Sequence, residues 1–543
     1  MNATARVTLS LIVVGVLLGI GEMARGVAVT WDGSDSTDWT LDGNWAGGVA
    51  PANNLTTDYA VFTGGVTANL PSVGAARSVG GVQFFSAGWT LDGPGPLSLG
   101  TIAGRDSSAI WLRASGTVTV NCDLSMTGGG RVLADVAGGM VILNGVVSGP
   151  FTTHWDADNG TVRLAGSSSN SITSFSMNQG TLELAKTGGA KALNMAAGEF
   201  GSSGGTVRWL EDNQFTNANT IKNTGGLTLD LNGHTDTLGR IYGNGRLAIT
   251  LGGGTLSFAG SASDPVIWNH WDGVPSVTQT VSGPGTINLT TSGDFNPGNT
   301  PDTSGIDLDI SAFITAGPAV PSVSFGLLRE PRSSIWGVTR LSSATGNTYV
   351  KDTEVARTAT LVVANTSGSA TGTGNVYVGN TSASALNSIL AGNGILVPGA
   401  GNAVYVQNKG ALSPGFGPTD AEKIDTLTVD GDVVFQAGSF FDVEHDGTGS
   451  DLLAVSGALD ISGATLNLTD LGGGETAPLY ILATYGSLTG TFAAINGTIP
   501  PGMELVYDGG SIRLMAPIPE PATLALLGLG LAGLRPRRRP RAQ

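Results

Sequence analysis

The sequence predicts an all-β chain: a right-handed parallel β-helix (solenoid) with a C-terminal β-rich cap, an N-terminal signal peptide and a short C-terminal transmembrane helix. Three observations carry that expectation. Glycine supplies 84 of 543 residues while only 13% are charged, against about 25% in ordinary globular domains. A unit Gly-x-φ-x-φ, with φ apolar, returns about every 20 residues through the body. Both ends of the chain carry apolar runs flanked by arginine.

The N-terminal element spans residues 1–28. Arg6 precedes an apolar run from Val7 to Ile20, and Gly26-Val27-Ala28 offers small residues for cleavage before Val29. Charge, length and cleavage chemistry are those of a secretory signal peptide, so the body is expected to be exported.

Residues 29–94 are expected to form an N-terminal cap. Trp31, Trp39 and Trp45 fall within fifteen residues, and large aromatic rings can cover the exposed core at the open end of a solenoid. Stacking against a glycan is the alternative use of such rings.

Residues 95–420 carry the repeat. Its φ pairs are Leu97/Leu99, Val118/Val120, Val141/Leu143, Val162/Leu164, Leu182/Leu184, Val207/Trp209, Leu227/Leu229, Leu247/Ile249 and Ile287/Leu289. Alternation at period two is the mark of a strand with one buried face. A steady return near 20 residues means that each strand stacks on its counterpart in the next coil. The gap before Ile287 is twice the period, which predicts an irregular coil there. An antiparallel sandwich also uses short strands and Gly-rich turns, but it does not require matching positions at fixed spacing. Between the φ residues, Arg163, Glu183 and Arg208 are expected to form an outward ladder of alternating charge. The full outward row is expected to read Ser98, Thr119, Ile142, Arg163, Glu183, Arg208, Thr228, Ala248 and Asn288.

Residues 421–516 show a shorter rhythm, with Val433/Phe435, Phe441/Val443, Leu453/Val455, Leu459/Ile461 and Leu466/Leu468 close together. This predicts a C-terminal β-rich cap or small sandwich.

The tail, residues 517–543, is the most informative stretch. Pro519-Glu520-Pro521 opens it, Ala522 to Leu534 is wholly apolar, and Arg535, Arg537, Arg538, Arg539 and Arg541 close it. The prolines end a preceding strand, and the arginines favour the cytoplasmic side of a membrane segment as a stop-transfer block. Thirteen residues make a helix of only about 20 Å against a hydrocarbon core of about 30 Å, so the span is short. The tail resembles the PEP-CTERM sorting signal of exopolysaccharide-producing bacteria. That resemblance implies an exosortase, a membrane protease-transpeptidase, as the partner that reads Pro519, Glu520 and Pro521.

A second resemblance lies in the body. Gly160-Thr-Val-Arg-Leu-Ala-Gly166 and Gly180-Thr-Leu-Glu-Leu-Ala185 are similar to the autotransporter-associated β-strand repeat, as is Leu341 to Tyr349 with Ala359-Thr-Leu-Val-Val363. The likeness is degenerate. It implies an extended passenger-like β-helix on a large secreted or surface protein. Because no outer-membrane barrel follows these repeats in the sequence, sorting is expected to run through the tail.

The net charge is −16, and seven of the 26 basic residues lie in the two terminal segments. Such a surface repels nucleic acid. Cys122 is the only cysteine, so no intramolecular disulfide is available; its register with Val118 and Val120 predicts a core position. Gly201-Ser-Ser-Gly-Gly205 matches G-x-S-x-G, but a nucleophile elbow needs a helix after the serine, and Ser203 is expected to be a turn serine. His154, His234, His270 and His445 lack metal-ligand spacing, and His154-Trp-Asp156 and His270-Trp-Asp272 are expected at equivalent loops. Asp446-Gly-Thr-Gly-Ser-Asp451 approximates a single calcium β-roll turn, too few oxygens for a site alone. No cofactor, metal or catalytic residue is therefore expected. The functional expectation is a non-enzymatic structural or adhesive protein of the envelope or extracellular matrix, with extracellular polysaccharide as a partner and at least transient membrane anchoring by the tail. Its rivals are a β-helix polysaccharide lyase or hydrolase, which needs carboxylates gathered on one face, and a glycan binder using tryptophans such as Trp89, Trp111 and Trp209.

Overall fold

The computed structural model describes residues 26–101, 108–127, 130–153, 159–195, 199–216, 219–262, 264–269, 278–297, 305–326, 337–379, 387–417, 423–472 and 477–516. Its short alternating segments wind into a β-solenoid of about 15 turns with almost no helix. At a strand spacing of about 4.8 Å, that many turns stack to roughly 70 Å.

A coil from the middle of the rod shows the plan. Arg240–Gly243, Arg246–Thr250 and Thr255–Phe258 lie on three successive faces. Each pairs parallel with its counterpart in the next coil: Ile267–Asn269, Gln279–Ser282 and Thr286–Leu289. The alternation of the sequence then sets the core. On the first face Phe151, Phe175, Phe200, Ile221, Ile241, Ile267, Phe295 and Phe325 occupy successive in-register positions, and all are buried. Phe175 and Phe200 stack with ring centroids 4.6 Å apart.

On the second face Val118, Val141, Val162, Leu182 and Val207 stack as the repeat predicts. Three assignments need correction. Val207 pairs with Leu229, and Leu227 lies opposite Gly205, because the register shifts at the bend between Ser202 and Gly204. Leu97/Leu99 sit on another face, paired with Arg77–Val79 and Leu124–Met126, while the neighbour of Val120 is Leu91. Ile287/Leu289 lie on the third face, and Ile249 continues to Val281. Coils carry similar strands on more than one face, so spacing alone cannot say which face a pair occupies.

Parallel pairing also reaches beyond residues 95–420. It begins with Val27–Thr30 on Asp58–Phe62 and runs to Thr465–Asn467 on Ala494–Asn496. The close-set strands after residue 421 are the successive faces of further coils rather than a sandwich. Antiparallel pairing of named strands is confined to the end, where Ser511–Met515 lies between Leu479–Thr484 and Glu504–Asp508.

The first coil is closed by the tryptophans. Trp31, Trp39 and Trp45 are each at most 2% exposed. Trp45 stands edge-on to Trp31 and Trp39, at 5.0 and 4.8 Å between ring centroids. Its indole N–H donates to the Trp39 carbonyl at 2.8 Å, and Ala46 N–H bonds Thr30 O at 2.8 Å. An otherwise open strand edge is thereby occupied.

Candidate functional site

The outward row of the second face differs from expectation by the same register shift: Arg208 is followed by Asp230, not Thr228. Ser98 and Asn288 leave the row with their strands. The charges form two ion pairs, Arg163 Nε to Glu183 Oε2 at 2.7 Å and Arg208 Nε to Asp230 Oδ2 at 2.8 Å. The arginines of these pairs reach solvent while the carboxylates are largely covered; such solvent-screened pairs contribute at most about 1 kcal/mol, and their place on consecutive coils makes them markers of register.

Ser203 lies at the corner between two faces, at the register shift between Ser202 and Gly204. It sits inside the continuous strand Glu199–Trp209, with its hydroxyl donating to Asn178 Oδ1 at 2.7 Å. A strand on both sides of the serine lacks the strand-to-helix turn of a nucleophile elbow. Cys122 is 1% exposed, and burial pushes its thiol up to about 12, where little thiolate forms at neutral pH. Trp89 and Trp209 are core residues, whereas Trp111 is half-buried. The guanidinium of Arg113 lies 4.5 Å from the Trp111 ring centroid and 4.7 Å from that of Phe85.

Two buried groups were not legible in the sequence. Asp236, fully buried, accepts from Trp209 Nε1 (2.6 Å), Gln214 N (2.8 Å) and Phe215 N (3.0 Å) through one oxygen. Burial raises its carboxyl above the ordinary range, and these donors oppose the shift. Lys186 is 1% exposed and donates to Gly145 O at 3.0 Å; burial lowers its ammonium to about 8. Asp236 ties neighbouring coils together, and Lys186 reaches past one coil to the next but one.

Acidic groups gather in the last coils, among other places. Asp442, Glu444 and His445 lie on the strand Ser439–His445, and Asp451 follows the turn after it. Asp451 is fully buried; Oδ1 accepts from Asp425 N at 3.0 Å and Oδ2 from Glu444 N at 2.9 Å. Burial first, then its hydrogen bond with the Glu444 side chain, push its carboxyl up to about 9. Burial, aided by the charge of Glu444, brings Asp442 to about 6 against the Asn467 amide, which donates to Asp442 Oδ1 at 2.6 Å. The calcium-like loop is closed on itself. Asp446 Oδ1 accepts from Thr448 N, Thr448 Oγ1 and Gly449 N at 2.7–2.9 Å. These bonds, that from the Thr448 hydroxyl first, hold its carboxyl below the usual range. Among the described residues no group of three or more His, Cys, Asp or Glu side chains could hold a metal ion.

Beside this region a cleft of about 430 Å³ opens between His445, the strand end Leu468–Asp470 and the segment Gly497–Pro501. His445 is 2% exposed, and its ring lies 5.6 Å from that of Tyr480. Its register partner is Asp470, whose Oδ1 accepts from Gly472 N at 2.7 Å. The exposed Thr469 and Thr498 stand at the rim.

The terminal expectations fall elsewhere. Ala28 and Val29 lie in the first strand, with Val27 and Ala28 exposed; cleavage between them would leave Val29 and Thr30 paired with Ala60 and Val61. Residues 1–25, both His-Trp-Asp tripeptides and the whole tail lie outside the described residues. Among the described residues no helix is long and apolar enough to cross a membrane. The decisive comparison concerns the tail: residues 517–539 match the PEP-CTERM protein-sorting motif. This motif indicates an extracellular protein sorted by an exosortase, a membrane enzyme, with export and association with the cell surface or envelope. No curated protein matches the chain.

Proposed function

We propose that this protein is a non-catalytic structural or adhesive element of the cell envelope or extracellular matrix, a solenoid rod delivered through its C-terminal tail. The observation that carries the reading is the sorting motif at residues 517–539 joined directly to a β-solenoid of about 15 turns. Residues 1–28 would direct export and then be removed by cleavage after Ala28. Pro519, Glu520 and Pro521 would then meet the exosortase while Ala522–Leu534 and the arginine block hold the chain transiently at the membrane. The body reads as a degenerate array of autotransporter-associated repeats wound right-handed, with extracellular polysaccharide as its surroundings.

The distribution of acids supports the non-catalytic part. A lyase or hydrolase needs carboxyls that reach a substrate. Here the fully buried Asp451 spends its oxygens on the backbone N–H groups of Asp425 and Glu444. Deleting residues 517–543 tests the sorting: fractionation of the native host should show the truncated protein lost from its normal compartment. An unchanged distribution would refute it. Cleavage of any polysaccharide by the purified protein, abolished by one carboxylate substitution, would refute the non-catalytic reading.

A further inference from the structure

We propose that the cleft between His445, Asp470 and Thr498 is a saccharide-binding subsite for a neutral or amino-sugar ring. Its volume, about 430 Å³, falls in the range of small-ligand pockets, about 300–1,000 Å³. Its lining combines the two surfaces that a pyranose presents. Leu468 and Pro501 supply an apolar wall for C–H groups, while the Thr469 and Thr498 hydroxyls and the Asp470 carboxylate supply donors and acceptors for sugar hydroxyls. A carboxylate offers about four lone-pair sites, so Asp470 has acceptor capacity beyond its bond from Gly472 N. The imidazole of His445 is held in place by burial and by the Tyr480 ring, so the floor is rigid before a ligand arrives.

Charge narrows the ligand class. The chain carries −16, and Asp470 at the rim adds local negative charge, so an ammonium or neutral ring is accepted and a uronate is repelled. The subsite lies on the final coils. It deepens the adhesive part of the reading above and rests on that reading only for access to extracellular glycan. Loss of sugar binding and failure of sorting are separate results.

The test uses the full-length protein in detergent, with imidazole carbons labelled. Only four histidines are present, and His445→Gln assigns the resonance of interest. Glucose, glucosamine, N-acetylglucosamine and galacturonate are each titrated to about 100 mM, a range suited to weak single-ring affinity. The expected result is a saturable shift of the His445 resonance with at least one neutral or amino sugar and none with galacturonate. Asp470→Asn, which retains the acceptor for Gly472 N, should weaken that binding about tenfold by removing a charged acceptor. His234, whose Nδ1 lies 3.1 Å from Asp212 Oδ1, reports whether the fold is intact, and Thr498→Val provides a second rim variant. No saturable shift with any sugar, equal binding of galacturonate, or undiminished affinity in both rim variants would overturn the proposal.

Discussion

Replacing Trp45 by alanine should uncap the rod from its N-terminal end without disturbing the far coils. The indole is 1% exposed, touches Trp31 and Trp39 edge-on, and lies 6.4 Å from Phe62. Truncating a buried Trp costs roughly 3–5 kcal/mol. Losing the 2.8 Å bond to Trp39 O orphans that carbonyl, adding about 1 kcal/mol or more. In a solenoid each coil rests on its neighbours alone, so the loss is felt locally. About 4 kcal/mol of lost local stability corresponds to an approximately 10³-fold rise in local opening. Hydrogen exchange with mass-spectrometric readout should show Val27–Thr30, Asp58–Phe62 and Val82–Phe84 exchanging faster by about that factor. Amides of Thr426–Val429 should keep the exchange rate of the parent protein. Exchange unchanged at the N-terminal strands would refute the capping argument, and uniform acceleration along the chain would refute local coupling.

The remaining predictions concern buried groups. Asp236→Ala leaves the Trp209, Gln214 and Phe215 donors without their acceptor, so it should cost roughly 3–6 kcal/mol; Asp230→Ala, breaking an exposed pair, should cost under about 1 kcal/mol by denaturant unfolding. Burial pushes the carboxyls of Asp442 and Asp451 up to about 6 and about 9 in the folded state, against about 3.9 when unfolded. The folded state therefore holds the extra protons, and their stabilisation is full below about pH 4 and lost as pH rises through those values. Exchange within residues 423–472 should accelerate between pH 5 and pH 9 after correction for intrinsic rates, and Asp451→Asn should flatten the trend. Cys122, buried with its thiol near 12, should resist a thiol reagent at pH 8 until denaturant is added; rapid native labelling would contradict its core position.

Much of the architecture was readable because burial on a sheet leaves a period-two trace. Val118, Val141, Val162, Leu182 and Val207 betray their stack through spacing alone. The face assignment was not readable: Leu97 and Ile287 obey the same pattern on other faces. Nor was the slip that places Asp230 rather than Thr228 beside Arg208, since a bend at Ser202–Gly204 leaves the alternation intact. Closely spaced pairs such as Val433/Phe435 and Phe441/Val443 suggested a separate domain because successive faces of one coil resemble successive strands of a sandwich. The sorting tail was legible as three consecutive chemistries in a fixed order. The cleft was not, because His445, Asp470 and Thr498 are far apart in sequence and meet only through coil stacking. Asp236 and Lys186 likewise acquire meaning from neighbours 21 to 41 residues away.

The central claim is that the tail is read and processed during sorting, and the C-terminus of the protein recovered from the native host tests it most directly. Mass spectrometry of the surface or matrix fraction should find chains ending near Pro519–Pro521, with the Ala522–Leu534 segment and the arginines from Arg535 to Arg541 absent. Recovery of extracellular protein that still carries Arg541 and Gln543 would contradict the account.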